Sequence, residues 1–380
     1  MKRFRQAVGL GAIVAGALGI VLWTTQSPMA SAPWVICGLT LAALWINLGE
    51  EIRTYAFSLW VFAAVATSMF YPVAFDTWFD YKLTGLISPL IQIIMFGVGT
   101  QLSVADFSRA FKMPKAVLVG VVAQFTIMPT LGWLIAKSLG FEGEVAAGIV
   151  LIGSCSAGVA SNVMAYIAGA NVALSVTITS FTTLLAPVMT PLAMKVLANQ
   201  YVTIEFSAMM IDILWMIITP VVAGLIVNKL VHGRAGWFDK SLPMISMVSI
   251  CYIIAIITSS SRDKLLQVGG LLIVAAVIHN ACGYLLGYWG ARLMGMEERD
   301  CRVVAFEVGM QNGGMGSALA INVLKSSDAA LAPAIFGPWM NISGSILASY
   351  WRKRLPKGVQ RMTLAEAEAV GEGAPRSIEP

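Results

Sequence analysis

The chain has 380 residues, 58% hydrophobic and 12% charged, with a net charge of +5 and a mean hydropathy of +0.78. A soluble domain carries roughly 25% charged residues, so too few polar side chains are present to coat a surface that faces water. The apolar runs are continuous and not alternating, which argues against a β-barrel, and no basic patch interleaved with aromatics supports nucleic acid as a partner.

Apolar spans are predicted in chain order at about 6–24, 34–48, 55–73, 86–103, 115–136, 145–168, 171–194, 206–228, 242–260, 266–291, 302–324 and 329–350, each near the ~20 residues that cross a bilayer. With an inside N-terminus, 19 of the 25 Lys and Arg fall on the cytoplasmic side and six on the other, and a shift by one span would scramble that split. Both termini are therefore expected in the cytoplasm, and the protein is expected to be a multi-pass protein of the cell (inner) membrane with the lipid bilayer as its solvent. Lys2, Arg3 and Arg5 precede the first run, and Ala30-Ser31-Ala32 resembles a signal-peptidase site. The run is long for a signal peptide and Pro33 would follow the cut, so a retained helix is expected. Three regions result: an extra hydrophobic hairpin over 1–54, a membrane domain over 55–354, and a polar tail over 355–380 with the composition of a disordered segment.

Two segments share a pattern. Gly158-Val159-Ala160-Ser161-Asn162-Val163-Met164 precedes a break near Gly169-Ala170-Asn171 and a span with Leu185-Ala186-Pro187. Gly309-Met310-Gln311-Asn312-Gly313-Gly314-Met315 precedes a break near Ser326-Ser327-Asp328 and a span with Leu331-Ala332-Pro333. They lie about five spans apart, and an odd number of spans turns the second unit upside down relative to the first, the pattern of inverted repeats in secondary transporters. Polar, Gly-rich stretches at membrane depth must be buried in protein or line a cavity. Close packing through small residues is the alternative, but Asn162, Gln311 and Asn312 carry amides that packing does not require.

Among the twenty Asp and Glu, Glu307 and Asp212 fall inside spans. A carboxylate near the bilayer centre costs roughly 2.5–3.5 kcal/mol, so Glu307 needs a bound metal cation or a proton. Gln311 follows it by four residues, on the same face if the helix persists that far. Asp212 lies near the start of its span, where a structural role at the interface is expected. Ser175 and Thr179 are also four apart, and their hydroxyls could join the Asn162 amide as hard oxygens for sodium, or could bond their own helix backbone. Gln124 is a mid-span amide that needs partners. His279 and Asn280 interrupt another span, where a lone His is more often a satisfied packing group than a ligand. Cys37, Cys155, Cys251, Cys282 and Cys301 are odd in number and lack metal-ligand spacing, so no disulfide framework is expected. No phosphate loop and no nucleophile–base pair is apparent, and the chain is not expected to be an enzyme.

Taken together, Ala160-Ser161-Asn162-Val163-Met164, Asn171-Val172-Ala173-Leu174-Ser175, Glu307-Val308-Gly309-Met310-Gln311-Asn312, Gln124-Phe125 before Ile127-Met128-Pro129, His279-Asn280 and Trp339-Met340-Asn341-Ile342-Ser343-Gly344-Ser345 resemble the bile acid:sodium symporter family over about Phe57 to Trp351. The resemblance implies an all-α polytopic membrane protein, with a ten-helix core of two inverted five-helix repeats, in which a panel domain and a core domain pack together and two broken helices cross inside the core domain. The first two spans would be an addition. It implies sodium-coupled symport of an organic anion, a bile acid or similar carboxylate, by alternating access, with about two co-transported sodium ions. One ion would bind Ser161, Asn162, Ser175, Thr179 and Glu307. The other would bind Gln124, Glu307, Gln311 and backbone oxygens near Val308 and Met310. Asn312 and His279 would face the substrate. Where the family has Cys-Cys-Pro-Gly-Gly-Thr, this chain has Ser154-Cys155-Ser156-Ala157-Gly158-Val159, a departure that bears on cargo more than on sodium. The alternative is a proton-coupled or passive transporter of a small carboxylate such as pyruvate or pantoate.

Overall fold

The computed structural model describes residues 2–49, 56–102, 112–231 and 236–354, and the polar tail expected over 355–380 lies outside them. The chain is an all-α polytopic membrane protein. Among the described residues, eight helices are long and apolar enough to cross a membrane, and apolar side chains such as Leu118, Val196, Trp215 and Leu266 stand exposed on the outer surface.

Two helices open the chain, α1 (Lys2–Thr25) and α2 (Pro28–Asn47). They pack on each other as a hairpin, and α2 leans on α3 (Ala56–Phe70). Ser27 caps α2 by accepting from the Ala30 amide, and the Ala30-Ser31-Ala32 stretch lies in the first turns of that helix with Ser31 and Ala32 buried. A small hairpin of β1 (Thr77–Trp78) and β2 (Tyr81–Lys82) follows α3. Its two-residue turn puts both Phe79 and Asp80 at positive φ, the conformation that such tight turns demand.

The succession of helices then repeats. The first half continues with α4 (Ile87–Gln101), α5 (Pro114–Ser138), a broken helix made of α6 (Gly143–Ser154) and α7 (Ala160–Ile167), and α8 (Val172–Leu197). The second half runs through α9 (Phe206–Ile213), a π-turn at Leu214–Ile218 and α10 (Thr219–Val231), then α11 (Gly236–Ser260) and α12 (Arg262–Leu293). It ends in a second broken helix, α13 (Glu298–Gly309) and α14 (Gly313–Asn322), followed by α15 (Ser327–Arg352). The second break falls within the polar, Gly-rich stretch that predicts it. The first lies a few residues earlier than expected, so that Ser161 and Asn162 sit in the first turn of α7.

Two packing groups form around these elements. In one, α4 lies against α10 and α11, and α11 lies against α3. Helices α4 and α10 touch backbone to backbone: a Cβ on Gly99 would stand 2.1 Å from the Val221 carbonyl oxygen, and one on Gly224 would stand 2.2 Å from that of Phe96. In the other group, α5, α12 and the two broken helices pack together, closed by α8 and α15. A hydrogen bond links the groups, with the Ser88 hydroxyl of α4 donating to Asn322 Oδ1 of α14 at 2.7 Å.

Candidate functional site

The two broken helices cross through a short antiparallel contact that pairs Ala157 with Gln311. The Gly158 amide donates to the Met310 carbonyl at 2.8 Å, and the Asn312 amide donates to the Ser156 carbonyl at 2.9 Å. Each break therefore satisfies the backbone groups that the other exposes, which is how non-helical chain survives at membrane depth. The C-terminal ends of α6 and α13 and the N-terminal ends of α7 and α14 converge here, bringing partial negative and partial positive charge to one place.

Glu307 lies in the last turn of α13, fully buried. A carboxylate at a helix C-terminus faces the dipole's negative end as well as the loss of water, so both terms disfavour its charge. Three hydroxyls converge on it from two other helices. Ser161 of α7 and Ser175 of α8 reach Oε1 at 2.7 and 2.6 Å, and Thr179 of α8 reaches Oε2 at 2.7 Å. Asn162 Oδ1 lies 2.8 Å from the Ser175 hydroxyl and 3.3 Å from that of Thr179. Ser161 also lies 2.8 Å from the Gly158 carbonyl, and Thr179 lies 3.1 Å from the Ser175 carbonyl. Each hydroxyl owns one hydrogen but stands within bonding distance of two or three oxygens. The cluster thus has more lone pairs than protons to fill them, as a hard cation requires. Among the described residues Glu307 forms no ion pair.

Ser175 and Thr179 share a face because they are one turn apart, and that face is aimed by the cap of α8, where Asn171 Oδ1 accepts from the Leu174 amide. The backbone-bonding alternative holds in part: Thr179 does contact its own helix carbonyl, in addition to the carboxylate.

Gln124 and Gln311 form a second polar group. The Gln124 amide donates to the Cys155 carbonyl at 2.8 Å and to Gln311 Oε1 at 2.5 Å, while Gln311 donates to Gln124 Oε1 at 3.2 Å and to the Val308 carbonyl at 2.6 Å. Glu307 is not hydrogen-bonded to either amide, and the Met310 carbonyl is engaged by Gly158. The Cys155 carbonyl joins this group without a sequence signal beyond its place in the break. A half-turn of either amide exchanges oxygen for nitrogen at constant shape, so the pair can present two oxygens to a cation beside the Val308 and Cys155 carbonyls.

Asn312 caps α14, its Oδ1 accepting from the Met315 amide at 2.9 Å, and its side chain is half-buried. His279 is fully buried in α12, with Nε2 at 3.1 Å from the Met128 carbonyl, its ring 5.5 Å from that of Phe336, and Nδ1 without a partner. Its neighbour Asn280 is the residue of that pair which touches the crossing: it donates to the Gly309 carbonyl at 2.7 Å and accepts from Ser343 of α15. Asp212 is exposed on α9 and takes no part in either group.

A family model described as the sodium bile acid symporter family matches residues 88–268. The chain is 39% identical to the uncharacterized sodium-dependent transporter YocS of Bacillus subtilis, over 79% of this chain and 92% of that protein. It is 30% identical to the probable chloroplastic sodium/metabolite cotransporter BASS1 of Arabidopsis thaliana, over 83% of this chain and 78% of the relative. It is 31% identical to the probable chloroplastic cotransporter BASS2 of rice, over 80% and 72%. The chain belongs to the sodium bile acid symporter family and is a multi-pass sodium-coupled membrane transporter, not an enzyme.

Proposed function

We propose that the chain carries an organic anion, a bile acid or a similar carboxylate, across the cell membrane together with about two sodium ions by alternating access, with both termini in the cytoplasm. The observation that carries this reading is the surplus of oxygen lone pairs around the buried Glu307. One ion would sit among Glu307, Ser161, Asn162, Ser175 and Thr179. A second would sit where Gln124, Gln311 and Glu307 meet the carbonyls near Val308 and Met310, once an amide turns its oxygen inward.

Sodium at the first position offsets the carboxylate charge and draws α7, α8 and α13 together. The positive ends of α7 and α14 then face the space between the two packing groups, where they favour an anion. Asn312, at the cap of α14, is placed to meet it, and His279 would reach it only in a state that opens α5 from α12. Inward movement of each uncompensated charge releases about 2.3 kcal/mol per 100 mV, in addition to the concentration gradient. The ions drive closure only as far as they bind one state better than the other.

The test is uptake of a radiolabelled bile acid into vesicles that hold the purified protein, with melting temperature as a second readout. A sodium gradient should drive accumulation, choline in place of sodium at fixed pH should abolish it, and Glu307→Ala should remove both accumulation and the stabilisation that sodium confers. Accumulation that persists in choline and follows a pH gradient would replace sodium with the proton.

A further inference from the structure

Each broken helix is also tied, at its outer end, to the cap of the helix that follows the other, and the two ties are built alike. At the start of α13, Asp300 Oδ1 accepts from the Asn171 side-chain amide at 2.9 Å. At the start of α6, Glu144 Oε2 accepts from the Ser326 hydroxyl at 2.5 Å. Asn171 and Ser326 are the N-caps of α8 and α15, and each also accepts a backbone amide of its own helix. In both ties, the cap of the helix after one break donates to an acid in the first turn of the opposite broken helix.

The ties differ in what they hold. Arg302, buried on α13, donates Nη1 to the Ala168 carbonyl at the end of α7 at 2.9 Å and Nη2 to the Arg354 carbonyl beyond α15 at 2.8 Å. The charge-bearing guanidinium thus meets the negative ends of two helices, a favourable placement. Together Asp300 and Arg302 fasten α13 to the turn between α7 and α8. Those three helices carry all the side-chain oxygens around Glu307, and Asp300 precedes Glu307 by two helical turns. Glu144 fastens α6 to α15, which contribute none of those oxygens.

We propose that Asp300, bonded to Asn171, is a positioning residue that sets sodium affinity by fixing the spacing of α7, α8 and α13, whereas Glu144, bonded to Ser326, has no such role. This rests on the assignment of sodium to the Glu307 cluster.

The experiment is a sodium titration of melting temperature on the purified full chain, with choline chloride holding ionic strength constant. Stabilisation by a ligand rises with the logarithm of its concentration beyond the dissociation constant, and its slope counts ions. Asp300→Ala should displace the onset to about tenfold higher sodium with the slope unchanged, the loss expected for one charge-assisted hydrogen bond. Asp300→Asn, which keeps an acceptor oxygen, should give an intermediate onset, and Glu144→Gln should give the unaltered one. A variant that merely destabilises the fold lowers the melting temperature without sodium and leaves the onset in place, so an unmoved onset in both Asp300 variants overturns the proposal. So does an equal displacement by Asp300→Asn and Glu144→Gln, and this pair decides the matter if Asp300→Ala does not fold. If the unaltered protein shows no sodium stabilisation, the failure lies in the sodium assignment itself.

Discussion

In the unit of α13 and α14, Glu307 stands four residues before Gln311. In the unit of α6 and α7, the residue four before Gln311's bridging partner Ala157 is Gly153. A similar count from the helix caps Asn171 and Ser326 sets Ser175 and Thr179 of α8 opposite Ala330 and Ala334 of α15, both buried. The carboxylate and two of its hydroxyl partners thus have counterparts that offer no side-chain oxygen. The space is also closed: a Cβ on Gly153 would lie 2.4 Å from the Met128 carbonyl oxygen and 3.0 Å from His279 Nε2. Repetition builds the crossing, and substitution on one side of it builds the chemistry.

The largest effect that would break this comparison is on folding. Gly153→Ala forces its methyl against backbone, which has no side-chain rotamer to yield, and overpacking of this kind costs typically 1–3 kcal/mol. Its melting temperature should fall by several degrees, with or without sodium. Gly270→Ala in α12 meets nothing within 4 Å and should be neutral or gain about 0.5–1 kcal/mol from the better helix former. If Gly153→Ala melts with the parent protein, the first unit has room for a side chain and its lack of charge is not imposed by packing.

A second effect, of comparable size but local to the ion site, sharpens the comparison. Ser175→Ala deletes a hydroxyl 2.6 Å from Glu307, a contact to a charged group worth about 1.5–3 kcal/mol. Half-saturating sodium for transport should rise by about tenfold or more. Ala334→Ser, which adds a hydroxyl at the counterpart of Thr179, should leave sodium affinity unchanged. An equal response from both helices would mean that ions bind on both sides of the crossing.

Much of this was legible from residue order. Twelve apolar stretches mark the helices, and Glu307, Ser161, Asn162, Ser175 and Thr179 meet in space, because a buried carboxylate must be answered and hydroxyls one turn apart share a face. What escaped the sequence depends on contacts between distant elements. The charge count places Arg302 with the cytoplasmic-side charges, at the first residue of the predicted 302–324 span, yet it is buried, since helix-end carbonyls from residues 134 and 52 positions away accept from it. Pro72 to Lys82 read as the edge of a span and a loop, but form a turn and a hairpin. Gly153 carries no motif, and its meaning lies in the Met128 backbone that crowds it.

The smallest effect concerns the outer ends of the two units. The start of α13 carries a charged network that the start of α6 lacks: Glu298 accepts from Tyr288 at 2.6 Å and from Arg302 at 2.9 Å. Partial burial pushes the Glu298 carboxyl up, but the hydrogen bonds from Tyr288 and Arg302 and the Arg302 charge outweigh it and leave the carboxyl below its ordinary value. A depressed carboxyl stabilises the fold above its unfolded pKa, about 4.3, and that contribution fades as pH falls through the folded value. Acid should therefore weaken the α13 end of the crossing once the pH falls below about 4.3. Glu298→Gln should melt slightly lower than the parent at neutral pH and draw level with it as the pH falls through the depressed folded value, below about 4.3. Melting curves that run parallel over the whole range would mean that Arg302 is held by the backbone carbonyls alone.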